Sequence, residues 1–152
     1  MKKIDCHRHC SYQENDFNAL RRSANTLQIE KIVLFGHNGL GEKGFDDTIW
    51  QWYQAYPDLV VPLACDFSYT KQGLVYGCAC LEKGFFGFGE LLIGHDGAQA
   101  KALHGLQYDD EIPLALCKMA GEYNAFVLAH CNKAFEKGFL QMVQQCRDTT
   151  IL

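Results

Sequence analysis

Two histidines lie one residue apart near the N-terminus, in the segment IDCHRHC. In a strand, side chains two positions apart point to the same face, so His7 and His9 would present both imidazoles on one side. Neutral imidazoles are frequent ligands of divalent metals. Asp5 can accept a hydrogen bond from an imidazole or from the backbone and so support the pair from outside it. The segment predicts half of a metal site or a polar patch.

Further polar side chains of this kind accompany later apolar runs of the chain. They are His37 after KIVLFG, Asp66 in VVPLACDF, Glu90 in FFGFGELLI, His95 just beyond that run, and His130 in AFVLAHC. Active sites of parallel barrels lie at the carboxyl ends of the strands. If the runs are strands of one barrel, these groups therefore lie together at the end of the barrel that the carboxyl ends of the strands form.

The elements that would position these groups follow from hydrophobic periodicity. Strands are predicted at KKIDC, KIVLFG, VVPLACDF, FFGFGELLI, AFVLAHC and TTIL, and helices over residues 14–28, 46–56, 71–83, 110–123 and 133–147. This alternation indicates an α/β fold with a parallel sheet covered by helices. An open doubly wound sheet and a (β/α) barrel both fit. The nucleotide-binding form of the former needs a glycine-rich turn after its first strand, where this chain has HRHCSYQEN.

Chain length limits how much of a barrel can form. A complete TIM barrel of eight units typically needs about 250 residues, whereas this chain has 152. We expect one domain over residues 1–152, of incomplete TIM-barrel type with five to six of the eight units, truncated at the start of strand six. Its open edges would expose unpaired backbone and apolar surface, which predicts a homo-oligomer.

Composition excludes several classes of partner. The net charge is −4 without a basic cluster, so neither nucleic acid nor an anionic membrane surface is expected as a partner, and a small-molecule substrate is. The absence of an apolar signal core or a spanning segment predicts a cytoplasmic chain with reduced thiols. The eight cysteines lack the paired Cys-x-x-Cys spacing of structural zinc sites and are expected mostly as small core residues.

The ordered set IDCHRH, GFFGFGELLI and FVLAHC resembles the metal-dependent amidohydrolase superfamily of (β/α) barrels, particularly its amidohydrolase-related branch. YPDLVVPLACDF also resembles the third strand of that branch, so the resemblance covers nearly the whole chain. It implies that His7, His9 and His130 bind a divalent metal, for which zinc is suited, with Glu90 as a further ligand or as a hydrogen-bond partner of the metal-bound water. The implied reaction is attack of metal-activated water on an amide, ester or lactone carbonyl of a small substrate.

The chain also departs from that family. A histidine after strand six and an aspartate after strand eight, the usual general base, have no counterpart in these residues, which leaves Glu90 as the candidate catalytic base. His37, Asp66 and His95 are candidate substrate contacts, with solvated loop histidines and a helix-capping aspartate as the other interpretations. Two alternative functions stay open: a decarboxylase of the same superfamily, and a catalytically inert relative that retains the fold.

Overall fold

The computed structural model describes residues 3–10, 14–36, 44–94, 103 and 105–152. Strands and helices alternate along these residues, as the periodicity predicts. In chain order they are β1 Lys3–His9, α1 Glu14–Leu27, β2 Ile29–Phe35, α2 Phe45–Ala55, β3 Val60–Pro62, α3 Lys71–Lys83, β4 Gly87–Leu91, α4 Glu111–Glu122, β5 Phe126–Ala129, α5 Glu136–Gln145 and β6 Thr150–Ile151. Short 3₁₀ turns occupy Leu92–Gly94 and Lys133–Phe135.

The strands form two three-stranded sheets, β1-β2-β3 and β4-β5-β6, and every strand pair in them is parallel. A parallel bridge between Ala64 and Phe88 joins the two sheets. The amide of Ala64 donates to the carbonyl of Gly87 at 2.9 Å, and the amide of Gly89 donates to the carbonyl of Ala64 at 3.0 Å. The six strands therefore follow one another in space as in sequence, which confirms the α/β prediction. Within the described residues the sheet does not close into a barrel, which is compatible with an incomplete one.

The hydrophobic core includes many residues of β2, β4 and β5. Their burial explains why the sequences of these strands are apolar and do not alternate with polar residues. All five residues of β4 are buried, as expected for a parallel strand covered on both faces. Phe88, Leu34 and Val127 are fully buried. β1 differs, since none of its seven residues is fully buried. The strand that contains His7 and His9 is thus largely exposed.

Local signals fix the ends of α3, which matches the predicted range. The Oγ1 atom of Thr70 accepts from the amide of Gly73 at 3.2 Å and caps the amino end. Gly84 has a φ of 112° and donates its amide to the carbonyls of Cys80 and Leu81. Because this left-handed conformation favours glycine, Gly84 ends the helix at Lys83, which confirms the predicted range.

Most other elements differ from their predicted bounds, and β3 covers only Val60–Pro62 of VVPLACDF. β1 extends through His9 instead of ending at Cys6, because His9 pairs with Phe35 of β2, so both histidines lie within the strand and not after it. α5 begins at Glu136, since residues 133–135 form a 3₁₀ turn that Asn132 caps by accepting from the amide of Ala134 at 3.0 Å.

Long apolar helices are not found among the described residues: none has the length and hydrophobicity needed to cross a membrane.

Candidate metal centre

Two imidazoles converge on a buried carboxylate where β1 and β4 approach each other. The side chain of Glu90 is 4% exposed, and its Oε2 atom lies 3.8 Å from Nε2 of His7 and 3.7 Å from Nε2 of His9. Ligand atoms of all three residues lie within 4.8 Å of one another. The parallel sheets therefore bring together the paired histidines and an acidic residue from the fourth strand.

The neighbours of the histidines fix their orientation. Both rings pack edge-on against Phe35, with centroids 5.0 Å away for His7 and 4.7 Å for His9, so they lie on one side of the strand as the alternation rule predicts. The backbone amide of His7 donates to Oδ1 of Asp5 at 3.2 Å, which is one of the two acceptor roles considered for Asp5. The Nδ1 atom of His9 lies 3.0 Å from the carbonyl of Gly36.

The contact with Gly36 determines what His9 offers to Glu90. A carbonyl can only accept, so the proton of a neutral His9 lies on Nδ1 and the lone pair lies on Nε2. That lone pair faces the Oε2 atom of Glu90 at 3.7 Å. Two acceptors that face each other need a cation or a proton between them, and a divalent metal would satisfy both.

His130 reaches the same carboxylate through its other oxygen. It follows β5, and its Nδ1 atom lies 2.9 Å from Oε1 of Glu90. Its backbone amide donates to the carbonyl of Leu91 at 3.0 Å. The structure therefore places His130 as a hydrogen-bond partner of Glu90 on the side of Oε1, next to the three-residue ligand group and not within it.

The donor set and its spacing fit a divalent metal. Tetrahedral zinc with ligands at about 2.0–2.2 Å holds neighbouring donor atoms roughly 3.4 Å apart. The two nitrogen-to-oxygen distances, 3.7 and 3.8 Å, exceed this by a few tenths of an ångström, which small side-chain rotations can supply. Two imidazoles and one carboxylate are a ligand combination of catalytic zinc, which leaves a position open for water or substrate. Other divalent metals that accept nitrogen and oxygen ligands also fit.

Among the candidate substrate contacts, Asp66 lies within the described residues and does not join this cluster. The Oδ2 atom of Asp66 accepts from the amides of Gly44 at 2.8 Å and Asp46 at 3.0 Å. Asp66 thus satisfies amide groups at the amino end of α2, the helix that precedes β3 in the chain, and has a capping role. His37 and His95 lie outside the described residues.

Asp66 belongs to a second buried group that the sequence reasoning missed, made of Asp46, Cys65 and Asp66. The Asp46 carboxylate accepts from the amides of Cys65 at 2.8 Å and Asp66 at 3.1 Å, and from the hydroxyl of Tyr76 at 2.9 Å. Burial, reinforced by the charge of Asp66, raises the pKa of Asp46 to about 6. Burial also raises the pKa values of Asp66 and Cys65. Because backbone amides donate to both carboxylates, the group links α2 to β3.

The sequence of this chain matches no protein-family model and no curated protein. Several solved structures resemble its fold. A Staphylococcus aureus protein described as an amidohydrolase has a TM-score of 0.65 and 14% identity, over 91% of this chain and 51% of that protein. YjjV, a TatD homolog from Escherichia coli K12, has a TM-score of 0.62 and 15% identity, over 94% of this chain and 56% of YjjV.

This chain therefore spans about half the length of both neighbours. At such identities the likeness shows the fold alone. It confirms the architectural part of the resemblance inferred from the sequence, and it adds that the arrangement of strands and helices is one found among hydrolase-like proteins.

Proposed function

We propose that this protein is a metal-dependent hydrolase that acts on an amide, ester or lactone carbonyl of a small substrate, with His7, His9 and Glu90 as metal ligands. The observation that carries the proposal is the buried Glu90 carboxylate with two imidazole nitrogens less than 4 Å from one of its oxygens. The position of the cluster in the parallel sheets, and the fold shared with a protein described as an amidohydrolase, support it.

The bound metal would supply Lewis acidity, which polarises a carbonyl and lowers the pKa of water so that it can attack at neutral pH. The protein would bind the metal and orient its ligands. Burial of Glu90 strengthens its attraction for a cation, because the local dielectric constant is lower than in water. The contact of Oε1 with His130 fixes the plane of the carboxylate and leaves Oε2 turned towards His7 and His9.

Glu90 and His130 also offer a route for a proton. With the shared proton on Nδ1 of His130, 2.9 Å from Oε1, the Glu90 carboxylate would be able to take a proton from the attacking water, and the pair would then hold one additional proton until it is released to solvent. The His130 side chain is 41% exposed, whereas that of Glu90 is 4% exposed. His130 therefore connects a buried base to solvent, as general acid–base catalysis requires for turnover.

Native mass spectrometry of the chelator-treated protein reloaded with zinc tests the ligand assignment. We expect one zinc per chain in the wild type and its loss in His7→Ala and His9→Ala. Cys6→Ala is the matched control, because Cys6 immediately precedes His7 in β1 and is exposed, so a thiolate there could hold adventitious zinc. Full zinc content in both histidine variants, or loss of zinc in the cysteine variant, would contradict the proposal.

Activity is tested separately with a panel of p-nitrophenyl esters, lactones and anilides. Loss of a positioned acid–base group typically lowers rates by about 10²–10⁴-fold, so we expect Glu90→Gln to lower kcat/KM by at least about 100-fold. Activity equal to that of the wild type would remove Glu90 from the mechanism. A zinc-loaded wild type without turnover on the whole panel would instead favour the inert relative.

Self-association remains a second proposal for this chain. Ile4 in β1 and Leu152, the residue after β6, are 60% and 53% exposed, and β1 and β6 are the two outer strands of the described sheets. Unpaired strand edges with apolar neighbours favour pairing with another chain. The same mass spectra report the assembly state, and a monomer at micromolar concentration would contradict this proposal.

A further inference from the structure

Tyr108 connects the ends of the two strands that carry Glu90 and His130. Its side chain is fully buried. Its hydroxyl lies 3.0 Å from the carbonyl of Leu91, the residue after Glu90, and also within hydrogen-bond distance of the carbonyl of His130 itself. One phenol thus contacts the backbone at both halves of the carboxylate–imidazole pair. The residue lies in the segment that returns from β4 to α4.

Packing against α5 holds the Tyr108 side chain in place. Its ring packs edge-on against Phe139 of α5, with centroids 5.4 Å apart. A Cβ atom at Gly138 would lie 2.7 Å from Oδ1 of Asp109 and 3.5 Å from the amide nitrogen of Tyr108. The turn that contains Tyr108 therefore rests directly on the backbone of α5, at a position where a side chain on the helix would displace it.

The pairing of β4 with β5 is irregular near Glu90, and the Tyr108 hydroxyl contacts both strands close to that irregularity. β4 and β5 pair at Gly87, Phe88 and Leu91, but the register shifts between Phe88 and Leu91, where Glu90 lies. Regular ladder hydrogen bonds therefore do not fix Glu90 against β5. Leu91 and His130 are joined by the amide of His130, which donates to the carbonyl of Leu91 at 3.0 Å, and Tyr108 adds the second connection at the same point.

We propose that Tyr108 is a positioning residue, whose hydroxyl holds the ends of β4 and β5 together and thereby sets the contact between Oε1 of Glu90 and Nδ1 of His130. Its effect on metal binding rests on the proposed function. Its effect on the Glu90–His130 contact does not, since that contact joins two side chains of the protein itself.

Tyr69 provides a matched control for removing a buried phenol hydroxyl nearby. Its hydroxyl is buried, and among the described residues it has no partner in hydrogen-bond geometry, although the backbone of Leu92 lies close to it. Burial raises its pKa, and the neighbouring Tyr108 and Glu90 act in the same direction. Tyr69→Phe therefore removes a hydroxyl from the same region without removing a hydrogen bond, and its stability should be unchanged or higher.

The experiment compares Tyr108→Phe with Tyr69→Phe by ¹⁵N NMR of the histidine rings in the metal-free protein. Tyr108→Phe should move the Nδ1 signal of His130 towards that of a solvent-exposed histidine. The Nδ1 signal of His9, which contacts the carbonyl of Gly36, should stay in place as an internal reference. Zinc affinity should fall roughly tenfold, as is usual when a residue that orients a metal ligand is lost. Tyr69→Phe should change neither quantity.

A folded Tyr108→Phe protein with unchanged His130 signals would overturn the inference, and so would equal changes in the two tyrosine variants, since those would indicate a general packing effect. If the wild type binds no zinc, the proposed function fails while the NMR comparison still decides the role of Tyr108. Should Tyr108→Phe not fold, 3-fluorotyrosine at position 108 retains the hydroxyl as a stronger donor. It must then shift the His130 signals, and unchanged signals would overturn the inference.

Discussion

The buried carboxyl group of Asp46 should make this protein less stable as the pH rises from about 4 to about 6. Burial, reinforced by the charge of Asp66, raises its pKa from 3.8 to about 6. Between these two values the folded protein retains a proton that the unfolded chain has released, so the free energy of unfolding decreases with increasing pH. Above the folded-state pKa both states are ionised, and the contribution becomes constant.

The size of this effect follows from the pKa difference. A rise from 3.8 to about 6 corresponds to about 3 kcal/mol of unfolding free energy, at about 1.4 kcal/mol per pKa unit. About 2 kcal/mol of this is lost between roughly pH 4 and pH 7, because the unfolded carboxyl is already partly ionised at the lower limit. Solvent screening is small here, since Asp46 is 2% exposed.

Urea denaturation of the metal-free protein across this pH range, for the wild type and Asp46→Asn, provides the assay. The variant loses hydrogen bonds to backbone amides, but that penalty does not depend on pH, so the change in the difference between the two proteins isolates the titration of Asp46. We expect the wild type to lose about 2 kcal/mol more than the variant over the range. Asp47→Asn, an exposed neighbour in α2, should follow the wild type. Parallel wild-type and Asp46→Asn curves would refute the reasoning.

Two further substitutions test how the elements around the site are held, and both are measured by urea denaturation. Gly87→Ala would place a Cβ atom 1.8 Å from the carbonyl oxygen of Phe126 and force β4 and β5 apart, so it should cost at least about 3 kcal/mol. A Cβ atom at Gly105 would meet no atom of the described residues within 4 Å, so Gly105→Ala should cost only about 1 kcal/mol through its positive φ and serves as the control. Thr70→Ala removes the cap acceptor for the Gly73 amide and should cost about 1 kcal/mol, and an unchanged midpoint would show that the cap is dispensable.

Local signals made the helices predictable, and α3 shows why. Its threonine cap, apolar spacing and terminal glycine act within a few residues of one another, so the sequence alone places both ends. β1 shows the opposite case. Residues 7–9 are polar and resemble the start of a loop, yet they continue the strand because β2 provides a pairing partner as far as Phe35. That partner is visible only once the two strands are side by side.

The residues of the candidate site also fall into those that local sequence signals indicate and those that only contacts between distant segments reveal. His7 and His9 could be singled out because imidazoles two residues apart lie on one face of a strand, and Glu90 and His130 because polar residues in buried runs are unusual. The capping role of Asp66 could not be assigned to α2, since the amides that it accepts from lie 20 and 22 residues earlier in the chain. Tyr108 carries no local signal either, because a tyrosine before a helix is unremarkable until two strand ends meet at its hydroxyl.

The two buried carboxylates of Asp46 and Glu90 illustrate why only one of them indicates a reactive centre. The oxygens of Asp46 accept from backbone amides, which are neutral, cannot be exchanged for another ligand, and hold α2 against β3. The partners found for Glu90 in the described part of the chain are the three imidazoles of His7, His9 and His130. Burying an ionised carboxylate without a compensating positive charge costs several kcal/mol, and an imidazole can supply that charge only by gaining a proton or by binding a cation beside the carboxylate. A proton or a metal ion bound beside Glu90 would supply that charge and could be exchanged, which is the property that the proposed hydrolytic chemistry would use.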